Sequence, residues 1–129
     1  MSCFSGVYQI NVRVKEIKKA IEWYKDILGL NVQKDHGKTV VLGQEKGIPV
    51  CLIEKDSHLP LPDNLEGTHP VFIISSNSVE YCKQSLMDQG VTVLEGGSEG
   101  HFKFRDLDGN LLEAYLPGLY EEDRFKPYR

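Results

Sequence analysis

Four histidines, three cysteines and several polar side chains spaced two residues apart are the groups in this 129-residue chain that could do chemistry. The two-residue spacing is informative, because side chains at i and i+2 of a strand stand on one face. It groups Gln9 with Asn11 and Arg13, His101 with Lys103, and Glu113 with Tyr115, and it places His69 opposite Phe72. Ile10, Val12, Phe72, Phe102, Phe104, Leu112 and Ala114 fall on the other face. A surface carrying amide, imidazole, carboxylate, ammonium and phenol groups can bind a small polar molecule and move a proton.

The remaining reactive side chains read as bystanders. His36 and His58 lie beside glycine or proline in turn-prone stretches, where surface histidines are ordinary. Cys3, Cys51 and Cys82 are widely spaced, odd in number and form no Cys-x-x-Cys pair, which predicts reduced thiols. The patterns around Cys51 and Cys82 read as packing rather than as nucleophile sites. Trp23 and Tyr24 flank an apolar helical stripe and read as packing residues as well.

These side chains need elements to position them. Tyr8 to Val14 alternates as a half-buried strand. From Glu16 the period becomes helical, with Ile17, Ala20, Ile21, Tyr24, Ile27 and Leu28 in register and Gly29 placed as a left-handed cap. Leu30 to Gln33, Lys38 to Leu42 and Ile48 to Glu54 read as three strands. After a polar, proline-bearing linker at about 55–68, the order repeats. His69 to Ser75 reads as a strand, and Val79, Cys82 and Leu86 form the stripe of a helix capped by Asn77 or Ser78, with Glu80 completing a capping box from Asn77. Val91 to Leu94, Phe102 to Arg105 and Asn110 to Leu116 then read as strands, with Asp106-Leu107-Asp108-Gly109 as a strong turn.

The chain is therefore two βαβββ copies, at about 7–54 and 69–116, followed by a tail at 117–129. Gln9 matches His69, Gly29 matches Gly90, and Gly47-Ile48-Pro49-Val50-Cys51 matches Gly109-Asn110-Leu111-Leu112-Glu113, the matched residues lying about 60 apart. Copies too small to bury a helix and a sheet alone are expected to pack together. The expected fold is one α+β domain, a curled mixed sheet around a pocket with the helices on its outer face. Tyr120 to Arg129 has no period and reads as frayed or as lying against a partner subunit.

Composition excludes some partners. A net charge of −4 and a pI near 5.5, from interspersed acids and bases, leave no basic stripe for nucleic acid. No apolar run approaches the roughly 20 residues of a membrane helix, and Met1 to Gly6 lacks a signal pattern, so a cytoplasmic protein is expected.

Three stretches carry a resemblance to a known family: Gln9-Ile-Asn-Val-Arg-Val-Lys-Glu, Ala20-Ile-Glu-Trp-Tyr-Lys-Asp-Ile-Leu-Gly-Leu and Phe104-Arg-Asp-Leu-Asp-Gly-Asn-Leu-Leu-Glu-Ala-Tyr. Over nearly its whole length the chain resembles the vicinal oxygen chelate superfamily, the glyoxalase I, bleomycin resistance and extradiol dioxygenase relatives. In that family the first and last strand of each half can each offer one metal ligand. The resemblance puts Gln9, Cys51, His69 and Glu113 at those places. Gln9, His69 and Glu113 form a mixed oxygen and nitrogen set suited to a divalent ion such as Zn, Ni, Mn or Fe. Cys51 is a departure, because glyoxalase I enzymes use a carboxylate there. Glu54 is close in sequence, but alternation sends it to the opposite face unless a bulge intervenes.

The resemblance implies a metal-dependent lyase or isomerase acting on a small oxygenated or thiol-conjugated substrate. Glu113 or His101 would transfer protons, Asn11, Arg13, Lys103 and Tyr115 would contact substrate, and a homodimer would be the usual assembly. The alternative is a metal-free binding protein of the bleomycin resistance kind, sequestering a small molecule in the same polar pocket. Extradiol ring cleavage would need a histidine where Gln9 stands. A fosfomycin-type transferase shares the fold, and it too would be expected to carry a histidine there.

Overall fold

The computed structural model describes residue 3 and residues 5–55, 68–75 and 78–118. Contacts divide the chain into two compact units, Met1–Asp63 and Asn64–Arg129. His58, most of the linker, Asn77 and the tail from 119 onward lie outside the described residues.

In the first unit the order is β1 (Ile10–Val14), α1 (Ile17–Leu28), β2 (Asn31–Asp35), β3 (Thr39–Gly43) and β4 (Val50–Glu54). The sheet order is β1-β4-β3-β2, so the first and last strands run side by side and parallel, while β2, β3 and β4 form antiparallel pairs. Alternation works as read: Val12 and Val14 are buried, while Asn11 and Arg13 are exposed. Ala20 and Tyr24 of α1 are fully buried with Val14, Val40, Leu42 and Leu52.

Helix α1 is closed at both ends by different means. Gly29 takes φ 69° and ψ 23°, a left-handed conformation that costs a glycine little. This lets its N–H reach Lys25 O at 3.0 Å and the next N–H, of Leu30, reach Tyr24 O at 3.3 Å. At the other end Glu16 makes no side-chain cap. The cap comes from β4 instead, where Glu54 Oε2 accepts the Ile17 N–H at 2.9 Å. A carboxylate there satisfies an orphan donor and complements the positive end of the helix dipole.

In the second unit the order is β5 (Val71–Ile73), α2 (Val79–Asp88), β6 (His101–Arg105) and β7 (Leu111–Tyr115), with sheet order β5-β7-β6. Again the first strand lies parallel to the last. The strand expected over Val91–Leu94 is reduced to a single bridge, Val93 to Phe104. Leu94 N–H still donates to Lys103 O at 2.9 Å, and Arg105 N–H to Thr92 O at 3.0 Å. Val91 N–H returns to Leu86 O at 3.0 Å, so the first residue of this segment closes α2 and the pairing with β6 is confined to Thr92, Val93 and Leu94. Ser78, one of the two expected caps, accepts the Tyr81 N–H on its Oγ at 3.1 Å. The core holds Val79, Leu86, Phe102, Phe104 and Leu112, and Lys83 lies over the Phe102 ring, 5.8 Å from its centroid. No helix among the described residues is long and apolar enough to cross a membrane.

The Glu54 cap is testable. Glu54→Ala is expected to lower stability by about 1 kcal/mol, and Glu54→Gln, which keeps an acceptor, by less, as read from urea unfolding midpoints.

Candidate active site

In the second unit the chain brings an imidazole and a carboxylate together from distant positions. The parallel pairing of β5 with β7 places Val71 beside Glu113 and Ile73 beside Tyr115. His69 stands two residues before Val71 and so shares its face. Its Nε2 lies 3.0 Å from Glu113 Oε1, with each side chain 19% exposed. The antiparallel pairing of β6 with β7 sets Lys103 beside Glu113 and His101 beside Tyr115. Because directly paired residues project to one side, His69, His101, Lys103, Glu113 and Tyr115 share one face, and the buried Ile74, Phe102, Phe104, Leu112 and Ala114 form the other.

A buried turn holds this register. Asp106 Oδ1 accepts the N–H groups of Asp108 at 2.9 Å and Asn110 at 2.8 Å, and its Oδ2 accepts Asn110 Nδ2 at 2.9 Å. Both side chains are buried. A fully bonded polar knot of this kind resists slippage, and a slip of one residue would carry Glu113 to the core face.

The spacing of the pair suits a shared cation. Two donors each about 2.1 Å from one ion and at right angles to each other are about 3.0 Å apart. That is the separation of Nε2 and Oε1, and a neutral imidazole with a carboxylate is a common donor pair for a divalent transition metal. Among the described residues no three His, Cys, Asp or Glu side chains gather as a metal cluster.

The first unit carries the other candidates. Gln9 is half-buried, and its Nε2 donates to Asn11 Oδ1 at 2.8 Å. This engages the end of the amide that cannot bind a metal, leaving Oε1 as the end with ligand character. The repeat is visible in the pairing. Asn11, two residues after Gln9, pairs with Cys51, just as Val71, two after His69, pairs with Glu113. Cys51 is 1% exposed, so the place matching Glu113 holds a buried thiol. Glu54 is no substitute for a carboxylate there, because it is committed to the end of α1. His36 is an exposed turn residue and Tyr24 a fully buried core residue.

One residue escaped the reading of the sequence. Ser98 Oγ lies 2.8 Å from His101 Nδ1. Its only signal was its place in the turn-prone run Gly96-Gly97-Ser98-Glu99-Gly100 ahead of β6.

Comparison with known proteins gives this arrangement a family. The sequence profile of the Glyoxalase/Bleomycin resistance protein/Dioxygenase superfamily matches residues 6–114. The chain belongs to that superfamily. It is 33% identical over 130 residues to the metallothiol transferase FosB of Staphylococcus epidermidis, covering 96% of this chain and 91% of that one. It is 29% identical over 128 residues to the glutathione transferase FosA of Serratia marcescens, covering 92% of this chain and 88% of that one. Among solved structures, the fosfomycin resistance protein FosX of Listeria monocytogenes, complexed with Mn(II) and sulfate, superposes with a TM-score of 0.72 at 25% identity, covering 98% of this chain and 99% of that one.

The three thiols differ in environment. Cys3 is exposed, Cys51 is buried, and burial pushes the Cys82 thiol above its ordinary value. Since the thiolate is the reactive form, iodoacetamide at pH 8 is expected to alkylate Cys3 first, Cys82 more slowly and Cys51 only after unfolding, as read by peptide mass spectrometry.

Proposed function

We propose that this superfamily member is a metal-dependent thiol transferase that joins a low-molecular-weight thiol to a small oxygenated electrophile. The observation that carries the reading is the His69–Glu113 pair, two donors at metal-ligand separation on a polar face. The named activities of FosB and FosA supply the reaction class. This moves the reading from a lyase or isomerase to a transferase, despite the glutamine at position 9.

In this reading His69 and Glu113 hold the ion. The bound metal would act as a Lewis acid toward a substrate oxygen. Lys103, exposed beside Glu113, offers an ammonium to an anionic group of the substrate. His101 and Tyr115, paired across β6 and β7, face the same surface and can bond to a substrate oxygen.

The reaction to test first is addition of a thiol to fosfomycin, whose strained epoxide is an oxygenated electrophile and whose phosphonate is an anion. Wild-type protein supplied with Mn(II) and either glutathione, cysteine or another small thiol is expected to consume fosfomycin and form the S-linked adduct, detected by mass spectrometry. His69→Ala and Glu113→Ala are each expected to lose the metal, as read by elemental analysis, and to lower kcat/KM by at least ~10³-fold, the several kcal/mol that such Lewis-acid stabilisation is worth. Wild type that takes up no divalent metal and yet binds the antibiotic would sink the transferase and favour a metal-free sequestering protein, the reading that the buried thiol at position 51 supports.

A further inference from the structure

The polar face of the second sheet is interrupted on one strand. Val71 and Ile73 of β5 are 52% and 76% exposed. Each lies beside a polar residue of β7, Val71 beside Glu113 and Ile73 beside Tyr115. Among the described residues β5 is an edge strand of its sheet, a position where exposed aliphatic groups invite association and charged ones are the usual protection. The fold does not require aliphatic groups there. In the first unit the matching positions, two and four residues after Gln9, are Asn11 and Arg13, both exposed and polar on a strand paired in the same parallel sense.

The register makes these two side chains one end of a graded surface. Lys103, Glu113 and Val71 are direct neighbours across β6, β7 and β5. An ammonium and an isopropyl group thus flank the carboxylate, on strands about 10 Å apart at two strand spacings. His69 brings its imidazole to Glu113 from the β5 side. A molecule whose oxygen is held at the His69–Glu113 pair, and whose anionic group turns to Lys103, has its remaining substituent directed over β5. Ile73 stands about 7 Å further along the same face and carries the apolar strip beyond the reach of a single methyl group.

We propose that Val71 and Ile73 are specificity-determining residues that receive an alkyl substituent of the electrophile. The preferred substrate is then an anionic, oxygenated electrophile that carries a hydrocarbon chain of several carbons. The proposal rests on the transferase reading, in which the reacting oxygen sits at the His69–Glu113 pair. Covering the strip withdraws apolar surface of both partners from water, and each methylene so buried strengthens binding by about four-fold.

The test measures calorimetric binding of unreactive n-alkylphosphonates, from methyl to pentyl, to the full chain in the presence of Mn(II). In wild type the affinity is expected to rise by about four-fold per added methylene until the strip is covered. The double variant Val71→Thr, Ile73→Thr keeps branched, strand-forming side chains and is expected to lose at least half of that slope on a logarithmic scale. An affinity independent of chain length in wild type, or an equal slope in the double variant, overturns the proposal. In the transferase assay, kcat/KM for the analogue of fosfomycin with propyl in place of methyl is expected to exceed that for fosfomycin by about 10-fold or more in wild type. The double variant is expected to lose most of this preference, and an unchanged ratio overturns the proposal. A double variant that dissociates from dimer to monomer in sedimentation while keeping the wild-type slope overturns it too, and assigns the strip to a contact between copies. A wild type that turns over neither epoxide yet keeps the binding slope overturns the transferase reading while upholding the alkyl-binding role of the strip.

Discussion

The parallel contact between the first and last strand of each unit is the constraint on which everything else depends. Parallel neighbours cannot be joined by a tight turn, so the intervening chain must cross over and come back, which in the first unit takes a helix and two further strands. In the second unit the same contact carries His69 to Glu113, 44 residues along the chain. The helices supply the apolar partner for the buried face of each sheet, and that burial makes the register costly to change. With the register set, the polar face is set as well.

The two units then use the same geometry for different ends. In the second unit the paired positions hold imidazole and carboxylate, partly withdrawn from water, where charge interactions are stronger than at an open surface. In the first unit the position matching Glu113 holds Cys51, buried, and the nearest carboxylate in sequence, Glu54, serves the helix. Duplication thus preserved the strand pairing while the chemistry diverged. Superfamily membership explains the shared frame; the side chains that the frame carries decide which reaction class it can serve.

Local structure in this chain is mostly legible from its residues. The periods of Ile10–Val14 and Ile17–Leu28, the cap at Gly29, the Asp106–Gly109 turn and the repeat itself can all be read because each depends on neighbours within a few positions. Two features could not be. Val91–Leu94 has the composition of a strand, but Val91 is spent on leaving α2, and only Val93 makes a bridge. Ser98 lies in a run of glycines whose backbone geometry, not composition, brings its hydroxyl to His101.

What the sequence determined by itself was the inventory and its sidedness: two strand–helix–strand copies, and His69, His101, Lys103, Glu113 and Tyr115 on the polar face of their strands. Alternation is a property of the extended backbone and needs no partner to be read. What only the tertiary structure decided was which of those groups meet. The 3.0 Å approach of His69 to Glu113, the diversion of Glu54 to the end of α1 and the placement of Ser98 on Nδ1 of His101 all depend on pairing between segments or on the closure of a turn. Such contacts arise from register and burial across the fold, and no local pattern encodes them.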